Sequence, residues 1–166
     1  KNGGKDCTTG EISEQTHDHA QSDEPHRWTS PKALKIMAKK AFEAIQKAYP
    51  DSVKYQLNYD RLMRDLDALD ARVEEKIRQS KLPYFIVYHP ALTYYARDYG
   101  IRQVAIENDG KDPSARQLAE IIRDARKNGI HRILYQNYFP KSVVEIIAQD
   151  MQAEYIEIDP PDQHVI

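Results

Sequence analysis

The chain has 166 residues, a formal net charge of −2 and 40% apolar residues, a size and composition that suit one packed domain, or a domain with an attached element. With no Lys/Arg cluster interleaved with aromatics and no apolar run near the ~20 residues of a membrane span, nucleic acid and bilayer insertion are set aside. One cysteine, Cys7, excludes an internal disulfide and any Cys-rich metal site. The opening Lys1-Asn2-Gly3-Gly4-Lys5-Asp6 lacks the charged head and apolar stretch of a signal peptide. It reads as the start of a fragment or of a processed product. Residues 1–25 carry few large apolar side chains and read as a polar loop.

Helical signals begin at Thr29-Ser30-Pro31. Ser30 suits an N-cap, and Pro31 suits the first helical position, where its missing N–H has no partner to lose. Leu34, Met37, Ala38, Ala41, Ile45 and Ala48 follow at helical spacing. Tyr49-Pro50-Asp51 breaks that helix. A second helix is predicted from Asp51 to Ser80, with Tyr55, Tyr59, Leu62, Leu66, Leu69, Val73 and Ile77 on one stripe. Its ~30 residues span roughly 45 Å, a length that suits a bridge between two bodies.

After Pro83 the pattern changes. Tyr84 to Tyr88 is a short apolar run of strand type, and Pro90 to Asp98 reads as helix. Gln103 to Ile106 is the next strand. Ser114-Ala115-Arg116-Gln117 is a capping-box pattern that opens a helix ending at Asn128-Gly129. Arg132 to Tyr135 is a third strand, Pro140 starts another helix, and Glu154 to Ile158 is a fourth strand. Strands alternating with helices predict an α/β fold: a four-stranded parallel sheet flanked by helices and preceded by the long helix.

Ligands of open parallel sheets bind beyond the carboxyl ends of the strands. His89 follows the first strand, Glu107 the second, Gln136 the third and Asp159 the fourth. An imidazole and two carboxylates thus gather at one sheet edge, and such groups suit Zn²⁺ or Mn²⁺. The structural alternative is that these residues cap helices and bond loop N–H groups. Glu107 has a second role open to it, as the acceptor that orients a ligand histidine. His26 precedes the Ser30 cap, and His17-Asp18-His19 lies in the polar loop, where it could collect cations loosely or simply be solvated. His131 belongs to the opposite sheet edge. No nucleophile elbow, Walker loop, GxGxxG, HExxH or kinase signature appears, and Ser30 and Ser114 are explained as caps, so nothing argues for catalysis.

Several segments together resemble a known family. Glu24-Pro25-His26-Arg27-Trp28-Thr29-Ser30-Pro31 is similar to the DPHxWLSP signature of zinc- and manganese-type solute-binding proteins of ABC transporters. Phe85 to Ala91 resembles their FIVFHDAF strand, Ile106-Glu107 through Asp112-Pro113-Ser114 their IEG…EPS, and Ile156 to Pro160 their LDPL segment. The resemblance implies two α/β lobes joined by one long helix, with the metal between them. On that reading residues 1–28 are a polar loop at the tail of the N-terminal lobe, 29–82 a helical linker including the connecting helix, and 83–166 the C-terminal metal-binding lobe. Most of the N-terminal lobe, with the family's first ligand histidine, has no counterpart here.

The resemblance further implies metal ligands at His26, His89 and Asp159. Glu107, His17 and His19 are accessory, the last two forming a short version of the acid- and His-rich loop of the zinc branch. Glu24, Thr29, Pro90 and Gln136 depart from the family pattern. A histidine at position 89 favours zinc, with manganese as the alternative. The expected protein is extracytoplasmic (periplasmic in a bacterium), monomeric and not an enzyme, and it passes its metal to an ABC permease. The rivals are an α/β enzyme using His89, Glu107 and Asp159, and a metal-free interaction module built on the long helix.

Overall fold

The computed structural model describes residues 25–107, 110–137, 139 and 141–158. A 3₁₀ turn, Arg27–Thr29, leads into helices α1, Pro31–Ala48, and α2, Val53–Ser80. The alternating part follows as β1 (Tyr84–Val87), α3 (Thr93–Tyr99), β2 (Arg102–Ala105), α4 (Ala115–Lys127), β3 (Arg132–Tyr135), α5 (Lys141–Met151) and β4 (Glu154–Glu157). The strands form one parallel sheet in the order β2-β1-β3-β4, as the alternation predicts.

Local chemistry sets the boundaries. Ser30 accepts from the Ala33 N–H with Pro31 behind it, and Ser114 and Gln117 form a reciprocal capping box. Gly129, at φ +66°, follows α4 in the left-handed conformation that glycine adopts without strain. The third helix starts later than the sequence pattern suggests. Pro90 and Ala91 form a turn, closed by the Ala91 N–H donating to the His89 carbonyl, and helix begins only at Thr93.

The sheet is covered unequally. Tyr84, Ile86, Tyr88, Ile106, Ile133 and Tyr135 point to one face, where they pack with Ala125 of α4 and with Val144, Ile147 and Ala148 of α5. Phe85 points the other way and meets Tyr95 of α3. The α1–α2 hairpin packs on α3 on that second side. Its own seam stacks Phe42 on Tyr59, with centroids 4.2 Å apart.

At 28 residues α2 is about 42 Å long, yet Leu66 is its only fully buried residue. Leu57, Leu62 and Leu69 of α2, with Ile36, Met37 and Ile45 of α1, stay exposed. The predicted apolar stripe is therefore only part-covered by the described residues.

A polar clamp ties the hairpin to α3. Lys35 reaches Asp70 at 2.8 Å and Asp67 at 2.9 Å, and the Tyr99 hydroxyl donates to Asp70 at 2.8 Å. Burial alone would raise the Asp70 pKa, but the bonds from Lys35 and Tyr99 outweigh it and hold the carboxyl below its ordinary value. Lys35 is correspondingly raised by Asp70 and Asp67. A depressed carboxyl contributes stability above its unfolded pKa, near 3.9, and loses it as pH falls through the folded value. A raised lysine contributes below ~10.4 and loses it as pH rises. Asp70→Asn is therefore expected to lower stability at pH 7 by about 1–2 kcal/mol and to flatten the acid limb below about pH 4. Urea melts at pH 3, 5 and 7 check this.

Candidate metal centre

Two turns, distant in sequence, carry the site. The His26 turn precedes α1, and the His89 turn follows β1. The Thr29 hydroxyl joins them, lying 2.8 Å from the His26 carbonyl oxygen and 3.2 Å from that of Ala91. Ser30, fully buried, bonds Asp98 of α3 and anchors the same junction from below.

The imidazoles of His26 and His89 meet with centroids 5.4 Å apart and planes at 75°. Two rings on one tetrahedral ion, each nitrogen ~2.1 Å from it, have centroids ~5 Å apart. An edge-to-face ring pair without metal would also sit at this distance. In either case His89 has a carboxylate beside it. Its Nδ1 lies 3.1 and 3.3 Å from the two Glu107 carboxylate oxygens. A carboxylate only accepts, so this hydrogen bond places a proton on Nδ1, and in the neutral ring Nε2 then carries the lone pair a metal ligand needs.

Glu107 is itself held. It is 6% exposed and accepts from the Gly110 N–H at 2.7 Å. Gly110 has φ +75°, a conformation that strains a side chain-bearing residue. Tyr88, whose hydroxyl donates to Asp112 at 2.9 Å, pins the far end of this loop. Burial first, and Asp112 second, push its phenol up to about 12, so it stays a neutral donor at physiological pH.

The rings are walled by aromatics that sequence reasoning did not single out. Phe139 lies 5.5 Å from His89 and 4.9 Å from Tyr88, and Trp28 lies 5.5 Å from His26. Gln136 sits at the same edge, 1% exposed, and neither its Nε2 nor its Oε1 has a hydrogen-bond partner among the described residues. Asp159, His17 and His19 lie outside the described residues. Among the described residues no group of three or more His, Cys, Asp or Glu is arranged to hold a metal ion. The described part of the site is thus two imidazoles and one orienting carboxylate. His131 immediately precedes β3 at the opposite edge, where its carbonyl accepts from the Glu154 N–H.

A family model described as ZnuA, the periplasmic component A of a zinc-uptake complex, matches residues 3–164. The chain belongs to the ZnuA family. Among curated relatives, a zinc-binding lipoprotein AdcA of Streptococcus pneumoniae is 33% identical over 154 residues, covering 87% of this chain and 30% of its own length. A putative metal-binding protein of Chlamydia muridarum is 28% identical over 137 residues, covering 81% of this chain and 50% of its own. A crystal structure of ZnuA superposes with TM-score 0.75 at 30% identity, covering 82% of this chain and 54% of that one. The Zn(II)-bound ZnuA-like domain of S. pneumoniae AdcA superposes with TM-score 0.67 at 27% identity, covering 82% and 52%. The chain therefore spans about half of these solved ZnuA-type chains, and less of AdcA.

Proposed function

We propose that this chain forms the cation-carrying C-terminal part of an extracytoplasmic solute-binding protein, which captures zinc and hands it to an ABC importer. The observation that carries this reading is the meeting of His26 and His89 at 5.4 Å, with Glu107 fixing the His89 tautomer. Zinc-binding relatives and a Zn(II)-bound neighbour support the choice of metal. Imidazole donors favour Zn²⁺, whereas Mn²⁺ prefers more oxygen and a higher coordination number.

In this reading His26 and His89 coordinate through nitrogen, and Asp159, after β4, adds a carboxylate. The remaining donor comes from the part of the protein that the relatives have and this chain does not span. The boundaries 1–28, 29–82 and 83–166 then divide lobe tail, helical linker and metal-binding lobe. The exposed apolar residues of α1 and α2 fit a linker that has a further body to contact. The rigid α2 limits lobe closure, so release to the permease proceeds by a small tilt. Capture and release of this kind involve no turnover, and the protein acts as a monomer.

Zinc titration of the full polypeptide against a competing chelator tests the proposal, with His26→Ala and His89→Ala beside the parent protein. Loss of affinity in both variants is expected. Equal affinity in all three would remove these residues from the site.

A further inference from the structure

The sheet topology makes Gln136 a neighbour of His89, although 47 positions separate the two in the sequence. β1 pairs with β2 in the register Val87↔Ala105, and with β3 in the register Val87↔Leu134. Two residues on, the same registers place Glu107, His89 and Gln136 in one row across the sheet. The ladder continues beyond the strand ends: the Glu107 N–H donates to the Tyr88 carbonyl at 2.9 Å, the Tyr88 N–H to that of Leu134 at 2.8 Å, and the Ile158 N–H to that of Tyr135 at 2.8 Å. Side chains alternate along a strand. Tyr88, Ile106 and Tyr135 all enter the core shared with α4 and α5, so the next residue on each strand faces the other way. The 3.1 Å contact between His89 and Glu107 agrees with that alternation.

β1 and β3 are also the switch point of the sheet. The chain leaves β1 toward α3 on one face, and leaves β3 toward α5 on the other. In open parallel sheets the crevice between two such strands is where ligands bind. Gln136 stands on the β3 side of that crevice and His89 on the β1 side.

The amide itself calls for a partner. Gln136 is 1% exposed and neither polar atom is bonded among the described residues. A buried, unpaired amide is costly, and an apolar side chain of the same shape would remove that cost. Resting on the zinc-capture reading, we propose that Gln136 is a specificity-determining residue of the cation site. Its amide oxygen accepts from a water that takes, in this chain, the coordination position of the donor it does not span, on the side of His89 opposite to Glu107. Being neutral, it adds no hard anionic oxygen, and this favours Zn²⁺ over Mn²⁺.

The test is competition titration of Zn²⁺ and Mn²⁺ into the full polypeptide carrying Gln136→Met or Gln136→Glu, with His89→Ala as the control. Met is close in shape and cannot bond the water. It is expected to weaken zinc by about tenfold, the scale of one buried hydrogen bond, while the metal-free protein melts no lower than the parent. Glu is expected to retain zinc binding and to move the zinc-to-manganese affinity ratio about tenfold toward manganese. Zinc affinity within twofold of the parent in Gln136→Met, with His89→Ala impaired, overturns this assignment alone. An unimpaired His89→Ala overturns the zinc-capture reading and this assignment with it. Should Gln136→Met not fold, Gln136→Glu decides alone, and an unchanged ratio overturns the assignment.

Discussion

His89→Ala is expected to weaken zinc binding by about a hundredfold or more, the largest single effect at the site. Losing an outer partner of a metal ligand typically costs 10–100-fold, and losing the ligand itself sets a higher floor. Little of this loss should come from misfolding. His89 lies past the end of β1, on a turn held by backbone bonds through Ala91 and Glu107, and its ring is not part of the main core. The deletion does free Glu107, which then keeps Gly110 as its described partner. The variant is therefore expected to fold, with a melting temperature within a few degrees of the parent. Chelator competition reads the affinity, and circular dichroism reads the fold. A folded variant with parental affinity would show that the 5.4 Å ring pair is an aromatic contact and nothing more.

Glu107→Ala is the second large effect, expected at 10–100-fold in zinc affinity. The carboxylate is not needed as a ligand for this loss. Its contacts with His89 Nδ1 would, in the proposed site, hold the proton there, orient the ring and make Nε2 a stronger donor. Glu107→Gln should lose less, because its amide oxygen still accepts from Nδ1, though without charge. Alanine also strips the Gly110 N–H of its acceptor, at a cost of about 1 kcal/mol in stability. Nitrogen NMR of the His89 ring separates orientation from ligation. In the parent the proton should sit on Nδ1, and in Glu107→Ala both tautomers should appear. A single unchanged tautomer with unchanged affinity would sink the orienting role.

Much of the fold was legible because its signals are local. Ser30-Pro31, Ser114 to Gln117 and Asn128-Gly129 are caps whose chemistry acts within one helical turn, and the helices begin and end there. Four short apolar runs alternating with helices imply a parallel sheet, and the sheet is parallel throughout. The one clear shift, helix starting at Thr93 and not at Pro90, comes from a turn bond that closes on the His89 carbonyl, which no periodicity encodes.

The amino-acid sequence by itself determined the element types, the polar residue after each strand and the motifs that carry the family resemblance. Tertiary structure decided who meets whom. The order β2-β1-β3-β4 puts His89 between Glu107 and Gln136, and the Thr29 hydroxyl stitches a turn before α1 to one after β1. Both depend on hydrogen bonds between segments tens of residues apart. Such bonds are set by the packing of whole elements, whereas composition and spacing along the chain report only near neighbours.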